Sequence, residues 1–86
     1  MKSFPLKIVT PDGVAYDGQA QSITVNTITG YMGVLAGHID TTTALASGEA
    51  RVIIDDNMRT ADCQNGLLSV QNGAVTLLPA VFHWTN

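Results

Sequence analysis

The chain has 86 residues, 45% of them hydrophobic, and four Lys and Arg against seven Asp and Glu leave a net charge of −3. One core, and so one domain, is the most this length supports. The apolar content excludes disorder, and the scattered Lys2, Lys7, Arg51 and Arg59 exclude a phosphate-neutralising nucleic-acid surface.

No run approaches the roughly 20 apolar residues of a membrane span, and Met1 to Pro5 carries no apolar leader. Direct membrane insertion is therefore not expected. The single cysteine, Cys63, excludes an internal disulfide and a cysteine-based zinc cage, which suits a reducing compartment. Charged residues make up only 13% of the chain, so Thr, Ser, Gln, Asn and Gly must build much of the surface. That suits a small β protein with a Thr-rich coat and, equally, a subunit covered by neighbours.

Phe4, Leu6 and Ile8 alternate with Pro5 and Lys7, the period of a half-buried strand. The turn signals Pro11-Asp12-Gly13 and Asp17-Gly18 follow. Ile23 and Val25 face one way, and Ser22, Thr24 and Asn26 the other. Gly30, Gly33 and Gly37 punctuate the next stretch, where Tyr31 and Met32 are read as large apolar side chains at a loop tip. The plainer reading turns Met32 and Val34 into the core. Thr41 to Ala46 is free of breakers, and its β-branched threonines make it a strand rather than a helix. Val52 and Ile54 alternate again. Arg51–Ile54 and Met58–Ala61 flank Asp55-Asp56-Asn57, read as a longer polar turn. Asn65-Gly66 reads as a further turn. Leu67–Val70 and Ala74–Leu77 flank Gln71-Asn72-Gly73, a tight hairpin. Pro5 and Pro79 fall where edge positions tolerate a missing donor. Phe82-His83-Trp84 shows no strand pattern. The sum is an all-β fold, a flattened antiparallel sandwich or barrel of about eight to ten short strands.

Motifs for chemistry are absent. Glycines 30, 33 and 37 lie at offsets 0, 3 and 7, unlike a dinucleotide fingerprint, and no Gly-Lys-Ser/Thr exists for a phosphate loop. No nucleotide or other cofactor is expected. His38 and Asp40 share a strand face, but no third and fourth ligand accompanies them. His38 is read as bonding its own loop, and no metal site is expected. No Gly-x-Ser-x-Gly elbow is present, Cys63 reads as a buried inert thiol, and Asp55-Asp56 as a solvated turn. No catalytic residue is assigned.

Four stretches resemble one family. They are Phe4 to Gly18, Ser22-Ile23-Thr24-Val25, Gly30-x-x-Gly33-Val34-Leu35-x-Gly37-His38 with Thr43-Ala44-Leu45 and Gly48, and the hairpin Gly66 to Leu78. Together they are similar to the N-terminal β-sandwich domain of the epsilon subunit of rotary F-type ATP synthases. The chain departs from the family where prolines are usual (Asn26, Ala36, Asp40), where an acid is usual (Tyr31), at Thr41, at Asn65-Gly66 and over Ala80 to Trp84.

The resemblance implies a non-catalytic central-stalk subunit that joins the gamma subunit to the polar loops of the c-ring and couples ion movement to ATP synthesis. It implies a ring contact at Thr29, Gly30, Tyr31 and Met32, with Gly37 and His38 nearby. It also implies a gamma contact at Thr41, Thr42 and Thr43, extended here to Phe82 and Trp84 as aromatics that a partner covers. Residues 1–86 are expected to be this one domain without the two-helix domain of longer members, hence without an inhibitory or ATP-sensing role. The cytoplasmic face of a bacterial plasma membrane is the expected location. The other readings are a free-standing β-sandwich that binds a ligand or peptide, and a small β enzyme.

Overall fold

A computed structural model describes residues 2–86, and among them there are eight strands and no helix. The strands are β1 (Phe4–Thr10), β2 (Gly13–Ala20), β3 (Ser22–Thr27), β4 (Gly30–Leu35), β5 (Thr41–Leu45), β6 (Gly48–Ile54), β7 (Asn57–Gln71) and β8 (Ala74–Trp84). They hydrogen-bond in the order β2-β1-β8-β7-β5-β3-β4, with β6 bridging β3 and β7. All pairings are antiparallel except β1 with β8, which run parallel through Leu6–Ile8 and Val75–Leu77.

β7 and β8 are much longer than the sequence pattern suggests, at 15 and 11 residues, and both belong to two layers. Their distal halves, around the Asn72-Gly73 turn, lie between β1 and β5. The other half of β7 pairs with β6. The switch comes at Asn65-Gly66, which is a corner inside β7 and not a turn between strands. Both residues have positive φ, 51° and 119°, and the ladder to β8 skips one pair there. The buried side of β7 accordingly changes from Ala61 and Cys63 to Leu68 and Val70. On β8 it changes from Val75, Leu77 and Pro79 to Phe82. A methyl group at Gly66 would run into the carbonyl oxygen of Leu78, so the two chains touch backbone to backbone. Pro79 is therefore a buried corner residue in mid-strand, where no further strand needs its missing N–H.

The two layers close on inward-facing Phe4, Leu6 and Ile8, Ile23 and Val25, Val52, Leu68 and Val70, and Val75 and Leu77, each 3% exposed or less. These are the period-two positions of the sequence, and face-to-face packing of two sheets is stiff. The β6–β7 turn is a tight pair rather than a longer loop, since Asp55 (φ 51°) and Asp56 (φ 64°) alone separate the strands. Gln21 clamps it from outside, donating to Asp56 Oδ1 and accepting from Asp56 N.

The C-terminal end of β8 is held within the fold. Phe82 is 7% exposed and part of the core. Trp84 packs edge-on against it at 4.9 Å and against Tyr16 at 6.4 Å, with the Arg59 guanidinium 3.8 Å from its ring centre. The indole N–H donates to the carbonyl of Ala15, at a bulge of β2. The expectation that these two aromatics await a partner is corrected for Phe82: the corner shifts the alternation of β8 by one residue, and that shift buries it.

Candidate functional site

The turn between β3 and β4 is built around one hydroxyl. Thr27, buried despite being polar, donates to Gly30 O at 2.7 Å and accepts from Thr29 N at 3.2 Å. Its hydroxyl is thereby committed, so the 3.1 Å contact with Thr29 Oγ1 has Thr29 as donor. Thr27 fixes the shape of Ile28-Thr29-Gly30 and leaves Ile28 projecting, 69% exposed. The sequence reading passed over this residue. Its only local sign is Thr at both ends of Thr27-Ile28-Thr29, the pattern of a hydroxyl-closed turn.

Tyr31 and Met32 stand on β4 itself, not at a loop tip. Tyr31 is opposite Asn26 and faces outward. Its hydroxyl lies over Gly48, where an added methyl would come within 2.9 Å of it. Met32 turns inward and packs against the core beside fully buried Val34.

Gly37 and His38 are not near Thr29. β4 carries the chain about 17 Å from Gly30 to Leu35, and His38 N donates to Leu35 O at that far end. His38 Nδ1 meets Ile39 O at 2.7 Å, in its own loop. Asp40 is likewise engaged, accepting from Asn72 N at 3.0 Å. The residues expected at the ring therefore divide into two groups. Thr29, Gly30 and Tyr31 are exposed at one end of the sandwich, beside Ala46-Ser47. Gly37 and His38 lie at the other, beside Thr41 and the Asn72-Gly73 turn.

The residues expected at gamma divide too. Thr42 is exposed on β5 opposite Ser69, with Thr41 and Thr43 half-buried beside it. Trp84 pairs with Ala61, on the other side of the β7 corner. Phe82 belongs to the core and is only 7% exposed.

One outward surface was missed because it is assembled across strands. Leu67 pairs with both Leu78 and Ala44, Val9 pairs with Val14, and Val9 is level with Leu78, two residues beyond the Lys7–Thr76 pair. Val14, Leu78 and Leu67 are 59%, 42% and 38% exposed. This apolar row crosses the whole outer face of one layer. The neighbouring row, Lys7, Thr76, Ser69 and Thr42, is polar.

Little here is arranged for reaction chemistry. Cys63 is buried, and burial, then the nearby Asp62 charge, pushes its thiol up to about 11, away from the reactive thiolate. Two open depressions, of about 210 and 230 Å³, are lined by Lys2, Gln21, Leu35 and Ala36, and by the Thr10–Ala15 stretch with Phe82 and His83. Among the described residues no three His, Cys, Asp or Glu side chains come together.

The two-layer sandwich thus carries an exposed hydroxyl-braced turn at one end and an apolar row across one outer face. The chain belongs to the family of the ATP synthase delta/epsilon chain β-sandwich domain, whose model matches residues 3–85. It is 37% identical over 78 residues to the ATP synthase epsilon chain of Bacillus velezensis, covering 91% of this chain and 59% of that protein. It is 33% identical over 84 residues to the epsilon chain of Caldanaerobacter subterraneus subsp. tengcongensis, covering 96% and 61%. The chain thus spans about three-fifths of the length of these curated relatives. A chain of the Euglena gracilis mitochondrial ATP synthase (OSCP/F1/c-ring, rotational state 1) superimposes with a TM-score of 0.89 at 26% identity, covering 95% of this chain and 53% of that one. A chain of the Tetrahymena thermophila mitochondrial ATP synthase central stalk and c-ring shares the fold, with a TM-score of 0.79 at 11% identity over 94% and 66%.

Proposed function

We propose that this chain is a non-catalytic rotor subunit of a rotary ATP synthase, joining the gamma subunit to the c-ring on the cytoplasmic face of a bacterial coupling membrane. The observation that carries the reading is the family match over residues 3–85 together with the close superposition on a chain of the Euglena enzyme. The described surface suits it. A joint that transmits torque needs a stiff body, which two packed sheets provide. A permanent interface is large and rather apolar, and the Val14–Val9–Leu78–Leu67–Ala44 row is such a surface, with Thr42 at its border. Gamma is assigned to this face, with Gly37 and His38 joining Thr41 at its end. The ring loops are assigned to Thr29, Gly30 and Tyr31, where the Tyr31 hydroxyl has an exposed ring behind it for packing.

Tyr31→Ala tests the ring contact. In an assembled synthase, proton pumping driven by ATP hydrolysis is expected to fall severalfold while gamma binding by the purified chain is unchanged. Full pumping by the variant would overturn the assignment of the Thr29–Tyr31 end to the ring.

A further inference from the structure

The strand path ends on β2 and β4, and the two edges are treated differently. β2 carries devices that discourage pairing with another chain: a bulge opposite Ile8 and Val9, and an exposed charge at Asp17. β4 carries none. Its register with β3 is unbroken, it contains no proline, and no charged residue occurs between Ser22 and Gly37. Its outward side chains at Tyr31 and Leu35 are 62% and 61% exposed. Tyr31 leans over Gly48, back across its own sheet, and so leaves the main-chain edge uncovered.

Gly33 stands between them, and this fold does not require it. Its φ is not in the left-handed region, and the nearest atom to an added methyl would be Thr24 Oγ1 at 3.7 Å, ordinary contact. Glycine inside a strand costs roughly 0.5–1 kcal/mol relative to alanine. A strand glycine with neither bulge nor crowding around it leaves room for another backbone or a ligand to approach closely.

The edge is also complementary to itself. When two antiparallel strands pair about a twofold axis, outward residues must meet outward residues, so the two numbers in each pair sum to an even number. Of those registers, the one centred on Gly33 sets Tyr31 against Leu35 of the second copy on both sides of the axis, with glycine facing glycine in the middle. On the inner face it sets Met32 against Val34 of the second copy. No charged residue lies on β4 itself to repel the copy across the axis.

We propose that free copies of this chain pair through β4, edge to edge and antiparallel about Gly33, into a symmetric dimer with one continuous sheet. The pairing does not depend on the rotor reading. Under that reading Tyr31 faces the ring in the assembled enzyme, so the dimer is the form of the chain outside the complex.

Sedimentation equilibrium of the purified chain up to millimolar concentration provides the test. The chain itself should dimerise. Gly33→Glu and Gly33→Lys each set two like charges face to face on the axis, and each should weaken the dimer about tenfold or more. Mixing the two variants sets opposite charges there and should restore pairing as a mixed dimer. Circular dichroism matching the unsubstituted chain checks the fold of both, and Leu35→Lys, on an exposed side chain, gives an independent disruption. A chain that stays monomeric throughout overturns the proposal. So does a dimer that survives all three substitutions, or a pair of charge variants that fails to recombine.

Discussion

Trp84 is the chain's only tryptophan, and it ties the end of β8 to β2 across the open side of the sandwich. Phe82, Tyr16 and Arg59 surround its ring, and its N–H reaches Ala15. Edge-on aromatic pairs contribute about 0.5–1.5 kcal/mol beyond burial, and a cation over an exposed ring about 0.5–1 kcal/mol. Trp84→Ala should therefore cost about 2–3 kcal/mol in urea unfolding. Arg59→Ala should cost under about 1 kcal/mol but shift the tryptophan emission, because the charge over the indole is removed. An unchanged unfolding midpoint for Trp84→Ala would show that the tie carries no stability. Cys63 gives a prediction with a sign. Its thiol ionises near the ordinary value of 9.0 when unfolded and at about 11 when folded. The folded state thus keeps its proton longer. Cys63 leaves stability untouched below pH 9, and its contribution is lost as pH rises through 11. Cys63→Ala should flatten this alkaline decline, and alkylation of the native chain at pH 8 should be limited by unfolding.

At the scale of elements, the β7–β8 corner is where sequence and structure part. The inward triplets of β1 and the pair Ile23 and Val25 were readable because alternation reports one buried face directly. The Asn72-Gly73 hairpin was readable because adjacent residues with φ of 51° and 79° demand that chemistry. Asn65-Gly66 carries the same letters and the same backbone sign, yet there the chain bends and carries on as the same strand. Nothing local separates a hairpin turn from a corner; the difference is made by Leu78 and Pro79 packing onto Gly66 from β8, across the hairpin. The same corner hid Phe82, whose burial follows from the shifted alternation. It also hid the apolar row, whose members are scattered along the sequence and meet only through register. Gly66→Ala should be the most damaging small substitution, because the methyl would meet Leu78 O, the Pro79 Cα at 2.7 Å and a φ of 119°. A loss of about 3 kcal/mol or more is expected by thermal unfolding. Gly33→Ala, with open space and ordinary φ, should be neutral or slightly stabilising. Equal effects at the two sites would contradict the corner.

For the molecule as a whole, two properties bear on the rotor reading. The charge-poor surface of the sequence takes the form of two separate features, an end turn held by Thr27 and an apolar row across the outer sheet. The assigned contacts lie on separate regions, as a joint between two bodies requires. The sequence could name the end turn because its residues are contiguous, but it merged Gly37 and His38 with it because the length of β4 intervenes only in space. The most direct measurement is retrieval of the tagged chain from bacterial synthase membranes stripped of their own epsilon chain. Gamma and c-subunit should co-elute with it, and ATP hydrolysis in the reconstituted membranes should become tightly coupled to proton pumping. A chain that elutes without either subunit and leaves hydrolysis uncoupled would contradict the role as a rotor joint.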